Sequence, residues 1–135
     1  MTTTQENRHA LILRTNGEFE IIDWPATGAR SHLETLYRAI DCHAVDAVEI
    51  SPTLTMWLND EGVITGAPIN RSATILYALH NEPTQHYVGN VVLTGGIDRH
   101  GETLGLTNDE IAALVEMHLT FIPVTVPGQR DRRES

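Results

Sequence analysis

Trp57-Leu58-Asn59-Asp60-Glu61-Gly62-Val63-Ile64-Thr65-Gly66-Ala67-Pro68-Ile69-Asn70-Arg71-Ser72-Ala73-Thr74 is the stretch that decides the middle of the fold. It closes an extended run, Leu54 to Leu58, in which Leu54, Met56 and Leu58 share one face and Trp57 takes the other, because strand side chains alternate. Asn59-Asp60-Glu61-Gly62 reads as a hairpin turn into a further short strand at Val63-Ile64. Pro68 stands just ahead of a helix over 70–80, with Asn70 in the capping place and Ala73, Leu76, Tyr77 and His80 on one face. Asn81 and Pro83 stop it.

Upstream, an apolar run from His9 to Arg14 meets Asn16-Gly17 and then Glu18 to Ile22. Asn-Gly between such runs signals a two-residue hairpin with both turn positions at positive φ. Trp24-Pro25 ends the second strand. Ser31-His32-Leu33-Glu34 reads as a capping box, followed by Leu33, Leu36, Tyr37 and Ile40 on one helix face. A strand covers 45–50. Downstream, 87–94 is extended and ends at Gly95-Gly96, and Thr107-Asn108-Asp109-Glu110 is a second capping box. Ile111, Leu114, Val115 and Leu119 form that helix's apolar stripe, and Phe121 to Val126 reads as extended. The pattern predicts an α+β domain over 9–126, with one mixed β-sheet and about three helices largely on one face. The hairpin-then-helix opening makes a β-grasp-like arrangement the lead. Residues 1–8 and 127–135 are polar and unpatterned and are expected to be a loose arm and tail.

Composition bounds the function. The chain has 135 residues and a formal net charge of −9, and its nine basic residues are all arginine. That charge disfavours nonspecific binding to nucleic acid. No apolar run reaches the roughly 20 residues of a membrane helix, so no membrane partner is expected. The N-terminal residues lack a secretory pattern and Cys42 is the single cysteine, so a cytoplasmic setting is expected.

The middle of the chain resembles a small domain-of-unknown-function family found in phages, plasmids and actinobacteria. Asn59-Asp60-Glu61-Gly62 after an aromatic residue and the helix start Gly66-x-Pro68-x-Asn70-Arg71-x-Ala73-Thr74 carry the resemblance. Val88 to Gly95 and Leu106 to Glu110 extend it over roughly residues 9–118. It implies cargo of a mobile element, acting in the host cytoplasm if phage-encoded, and implies no reaction. Asn59, Gly66, Pro68, Asn70 and Arg71 are the positions that match.

Asn70-Arg71 at a helix N-terminus suits an anion, since free N–H groups and a guanidinium fork converge there. The preferred, structural alternative has Asn70 as a cap and Arg71 partly buried, held by backbone of the central hairpin or by a surface or buried carboxylate such as Asp60 or Glu61. Trp57, with Trp24 and Tyr37, is as suited to a partner face as to burial beneath a helix. No two of the seven histidines have the spacing of a helical metal pair, and Cys42-His43 are poorly placed to share an ion, so no metal and no cofactor is expected. Scattered surface positions and helix ends explain the histidines, with His80 and His118 at helix C-termini. Gly95 to Gly101 lacks a phosphate-loop pattern and reads as a mobile loop. No serine or cysteine has a base at useful spacing, so no catalytic residue is named and the enzyme reading ranks third. The leading expectation is a small acidic accessory protein of a phage or mobile element that binds a protein partner. The alternative is a protein that binds an anionic metabolite or nucleotide, through Trp57, Asn59, Asn70 and Arg71. A homodimer is compatible with either.

Overall fold

The computed structural model describes residues 8–25, 29–63, 65–81 and 86–121. Of the expected arm and tail, only Arg8 lies among them, and it is exposed. The elements run β1 (His9–Leu13), β2 (Phe19–Asp23), α1 (Ala29–Ile40), β3 (Val45–Ser51), β4 (Leu54–Asn59), α2 (Arg71–His80), β5 (Val91–Thr94) and α3 (Asn108–Phe121). Five strands form one sheet in the order β2-β1-β5-β4-β3.

The single sheet, the three helices and the α+β class agree with the sequence pattern. Every pairing in the sheet is antiparallel, where a mixed sheet was expected. The reason is the placement of β5. It enters between the β1–β2 and β3–β4 hairpins and runs against both β1 and β4. A strand in that place is covered on both faces, which explains its unbroken Val91-Val92-Leu93 run.

Two cores flank the sheet. On one face Leu11, Leu13, Met56 and Leu93 pack with Leu76 of α2 and Ile111 of α3. On the other, Ala10, Ile12, Trp24 and Val92 pack with Leu36 and Ile40 of α1. Helices thus cover both faces rather than largely one, with α1 packed over β4 and β5. Burying one such leucine contributes about 1.5–3 kcal/mol.

Several local expectations change. The first hairpin is a three-residue turn: Arg14 N–H donates to the Glu18 carbonyl, Gly17 N–H donates to the Arg14 carbonyl, and only Gly17 has positive φ. Helix α1 begins at Ala29, so Ser31 lies inside its first turns and caps nothing; its carbonyl accepts from Thr35 Oγ1. The buried stripe of α1 is His32, Thr35, Leu36 and Ile40, which leaves Leu33 exposed. Val63 sits in a turn, not a strand, because β3 and β5 already occupy both edges of β4; Ile64 lies outside the described residues. Helix α3 turns His118 inward and Leu119 outward, and Phe121 ends it, so the extended reading fails there; 122–126 lie outside the described residues. The Thr107 box forms as expected: Thr107 N–H donates to Glu110 Oε1 at 2.8 Å and Glu110 N–H to Thr107 Oγ1 at 3.2 Å. Gly95 to Gly101 leads into a tight hairpin, bridged at Ile97–Thr103, with Asp98 Oδ1 accepting from the N–H groups of His100 and Glu102.

Candidate functional site

The most specific motif in the chain is an internal tie. Asn70 is completely buried. Its Oδ1 accepts from Ala73 N–H at 3.0 Å, which caps α2. Its Nδ2 donates to the Leu13 carbonyl and to the Gly89 carbonyl, each at 2.9 Å. One side chain therefore joins the start of α2, the end of β1 and the approach to β5, and both amide hydrogens are spent. Arg71, one residue on, points out. It is exposed and makes no ion pair or hydrogen bond among the described residues, so the expected partly buried pairing with Asp60 or Glu61 is absent. Asn59 folds back on its own turn, its Oδ1 accepting from Glu61 N–H at 2.9 Å.

Trp57 lies on the other side of the sheet. It is half-buried in the α1 core, and its indole N–H donates to Thr94 Oγ1 at 2.9 Å. The sheet therefore separates Trp57 from Asn70, and Trp57, Asn59, Asn70 and Arg71 do not line one pocket.

A contact between distant residues escaped the sequence. His118 is fully buried between Ser72 Oγ, 2.7 Å from Nδ1, and the Gly17 carbonyl, 2.8 Å from Nε2. A carbonyl only accepts, so Nε2 carries a hydrogen; in the neutral ring Nδ1 then accepts from the serine hydroxyl. The distance suits a nucleophile and its base, but both groups are sealed from solvent, and the ring also stacks edge-on against Phe19 at 5.5 Å. The pair ties α2, α3 and the first turn together: His118 lies in the last turn of α3, as expected, but is buried there.

Beside α1 and β2 the surface opens into a cleft of about 1180 Å³. Arg8, Arg14 and Arg38 line it over Ile12, Ile22 and Trp24. Glu20 and Asp23 line it too, and Arg14 Nη2 holds Glu20 Oε1 at 2.6 Å. Trp24 is fixed by its indole N–H to the Thr103 carbonyl at 3.1 Å and by stacking on His32 at 4.5 Å. Arg8 and Arg14 flank the two ends of β1, and α1 brings Arg38 to the same cleft. Across the sheet a second, apolar groove of about 610 Å³ runs between Ile21 and α3, walled by Ile111, Val115 and Leu119.

The remaining reactive groups are poorly placed for chemistry. Burial pushes the Cys42 thiol above its ordinary value, opposing thiolate formation. The Asp60 carboxyl beside Asp46 raises the Asp46 value, by hydrogen bonding and by charge repulsion, at an exposed sheet edge. Among the described residues no group of histidine, cysteine and acidic side chains could hold a metal ion, and no helix is long and apolar enough to cross a membrane.

No curated protein and no solved structure matches the chain. A family model does: that of the domain of unknown function DUF3846, over residues 8–119. That match takes in β1 through nearly all of α3, both cores and both grooves, and the chain therefore belongs to the DUF3846 family.

Proposed function

We propose that the chain is a protein-binding module, a small acidic accessory protein of a phage or mobile element whose working surface is the β2 edge of the sheet. The observation that carries this reading is the contrast between the two sheet edges. Both edges carry two acids and lead towards a proline, Asp46 and Glu49 before Pro52 on β3 and Glu20 and Asp23 before Pro25 on β2, but only β3 has a shifted register, between Glu49 and Ser51. A bulge that breaks the register is one way proteins keep an edge from pairing. Strand β2 has no register shift and leaves Ile21 47% exposed beside Leu119, itself 44% exposed. An exposed apolar strip along a regular edge marks a contact surface. Affinity capture from host lysate tests it, comparing the full chain with an Ile21→Lys, Leu119→Asp variant. A partner held by the parent and released by the variant supports the reading; no partner lost on substitution refutes it.

A second reading, binding of an anionic small molecule, draws on the arginines of the cleft rather than on Asn70, whose amide is fully engaged. Anion binding at Arg38 would raise the melting temperature, and Arg38→Ala would abolish the shift. Ligand at 100 times its dissociation constant adds about 2.7 kcal/mol of stability.

A further inference from the structure

We infer that the partner engages β2 by adding a strand to it, and that the added segment is an extended run in which acidic side chains alternate with apolar ones. The inference rests on the reading of β2 as the working edge and names what that edge takes.

The backbone comes first. Arg14 N–H bonds to the Glu18 carbonyl and Trp24 N–H to the Arg8 carbonyl, which fixes the bonded pairs of the β1–β2 ladder. Bonded and non-bonded pairs alternate along an antiparallel ladder. Glu20 and Ile22 therefore spend their N–H and carbonyl groups on β1, while Phe19, Ile21 and Asp23 turn theirs to the open edge. Among the described residues no other strand pairs with that edge.

The side chains set the partner's chemistry. A strand laid on this edge drops alternate side chains onto opposite faces of the sheet. One set falls beside Ile21 and the apolar groove along α3. The other falls beside Glu20 and Ile22, at the mouth of the cleft that Arg14 and Arg38 line, where Arg14 already holds Glu20. Arg38 lines that cleft without a carboxylate among the described residues, and Arg14 keeps donors beyond its single bond to Glu20. Carboxylates alternating with apolar residues satisfy both faces at once. A second copy of β2 satisfies them less well, since its Glu20 is already tied to its own Arg14.

Titration of the isotope-labelled full chain with short synthetic peptides, followed by amide chemical shifts, tests this. An alternating Asp-Val peptide is expected to move the amides of 19–23, and to bind about tenfold more tightly than an alternating Lys-Val peptide or a blocked Asp-Val isomer. Ile21→Pro removes an outward N–H and leaves the ladder to β1 intact, so it should abolish binding while the fold persists. Should that variant fail to fold, Arg38→Glu decides, because it should invert the preference between the acidic and basic peptides. Binding undiminished in Ile21→Pro, shifts centred away from β2, or equal affinity for both peptides would overturn the inference. So would a concentration-dependent dimer, seen by sedimentation, that Ile21→Pro dissociates. A lysate partner that ignores Ile21→Pro but is lost on Leu119→Asp would sink strand addition and leave the protein-binding reading standing.

Discussion

Replacing Asn70 separates two accounts of what its side chain does. As an N-cap alone, asparagine is worth about 1 kcal/mol, and aspartate would serve equally well. Asn70 also donates to the carbonyls of Leu13 and Gly89 from a completely buried position. The Leu13 carbonyl keeps its ladder partner Val91, so each bond lost is worth about 0.5–1.5 kcal/mol. The Gly89 carbonyl is only partly buried, so its share falls at the low end. Asn70→Ala should therefore lose about 2–3 kcal/mol, a sizeable part of the roughly 5–15 kcal/mol typical of a folded domain. Asn70→Asp is the sharper test. It keeps the acceptor for Ala73 N–H but sets a carboxylate against two carbonyl oxygens, so it should be at least as damaging as alanine. Urea unfolding followed by tryptophan fluorescence and circular dichroism, with unchanged m-values, gives the difference directly. If Asn70→Asp stayed within about 0.5 kcal/mol of the parent, the bonds to Leu13 and Gly89 would carry no energy and the reasoning would fail.

Other perturbations follow from the same geometry. Ser72→Ala should cost about 1–3 kcal/mol in urea unfolding, because it strands a buried ring nitrogen of His118, and a serine-directed phosphonate should leave the native chain unlabelled. Arg71→Ala, at an exposed position without a described partner, should stay within about 0.5 kcal/mol of the parent by the same measurement. Asp46 has a folded-state value raised above its unfolded one, so its stabilising contribution is present below the unfolded value and is lost as pH rises through the folded one. Asp46→Asn should accordingly raise the melting temperature at neutral pH, and the gain should vanish on acidification. Asp98 behaves oppositely: the Glu102 N–H holds its value down, so its contribution is present above the ordinary carboxylate range and lost as pH falls. Asp98→Asn should narrow the difference in melting temperature between neutral and acid solution.

What could be read from the sequence was local. Asn16-Gly17, Asn70 and the Thr107–Glu110 box each act within a few residues, and their turn or cap formed, the first with one residue more than expected. The faces of β4 were legible because alternation is a property of the strand itself: Leu54 and Met56 face one core and Trp57 the other. Strand pairing was not legible, since nothing near Val91 announces that β5 lies between two hairpins. Val63-Ile64 looked like a strand for the same reason: its apolar character was visible, and the occupied edges of β4 were not. The candidate site failed in the same way. Arg8, Arg14 and Arg38 share no motif, and Ser72 and His118 lie 46 residues apart. Trp57 and Arg71 are near in sequence, yet the Trp57 side chain faces α1 while Arg71 lies on α2, across the sheet.

The place of β5 also bears on how the molecule is made. While the chain is being synthesised, each of the two hairpins can close as soon as its own residues appear. Neither can join the other until Val91–Thr94 arrives, about 35 residues after β4 ends. At about 5–20 residues per second, that leaves each hairpin with an unsatisfied inner edge for some seconds. In that interval Leu11, Leu13 and Met56 have no central strand to cover them. The nascent protein is thus most open to misassociation before its last strand emerges, and a helper that bound the inner edge of either hairpin would have to leave for β5 to take its place.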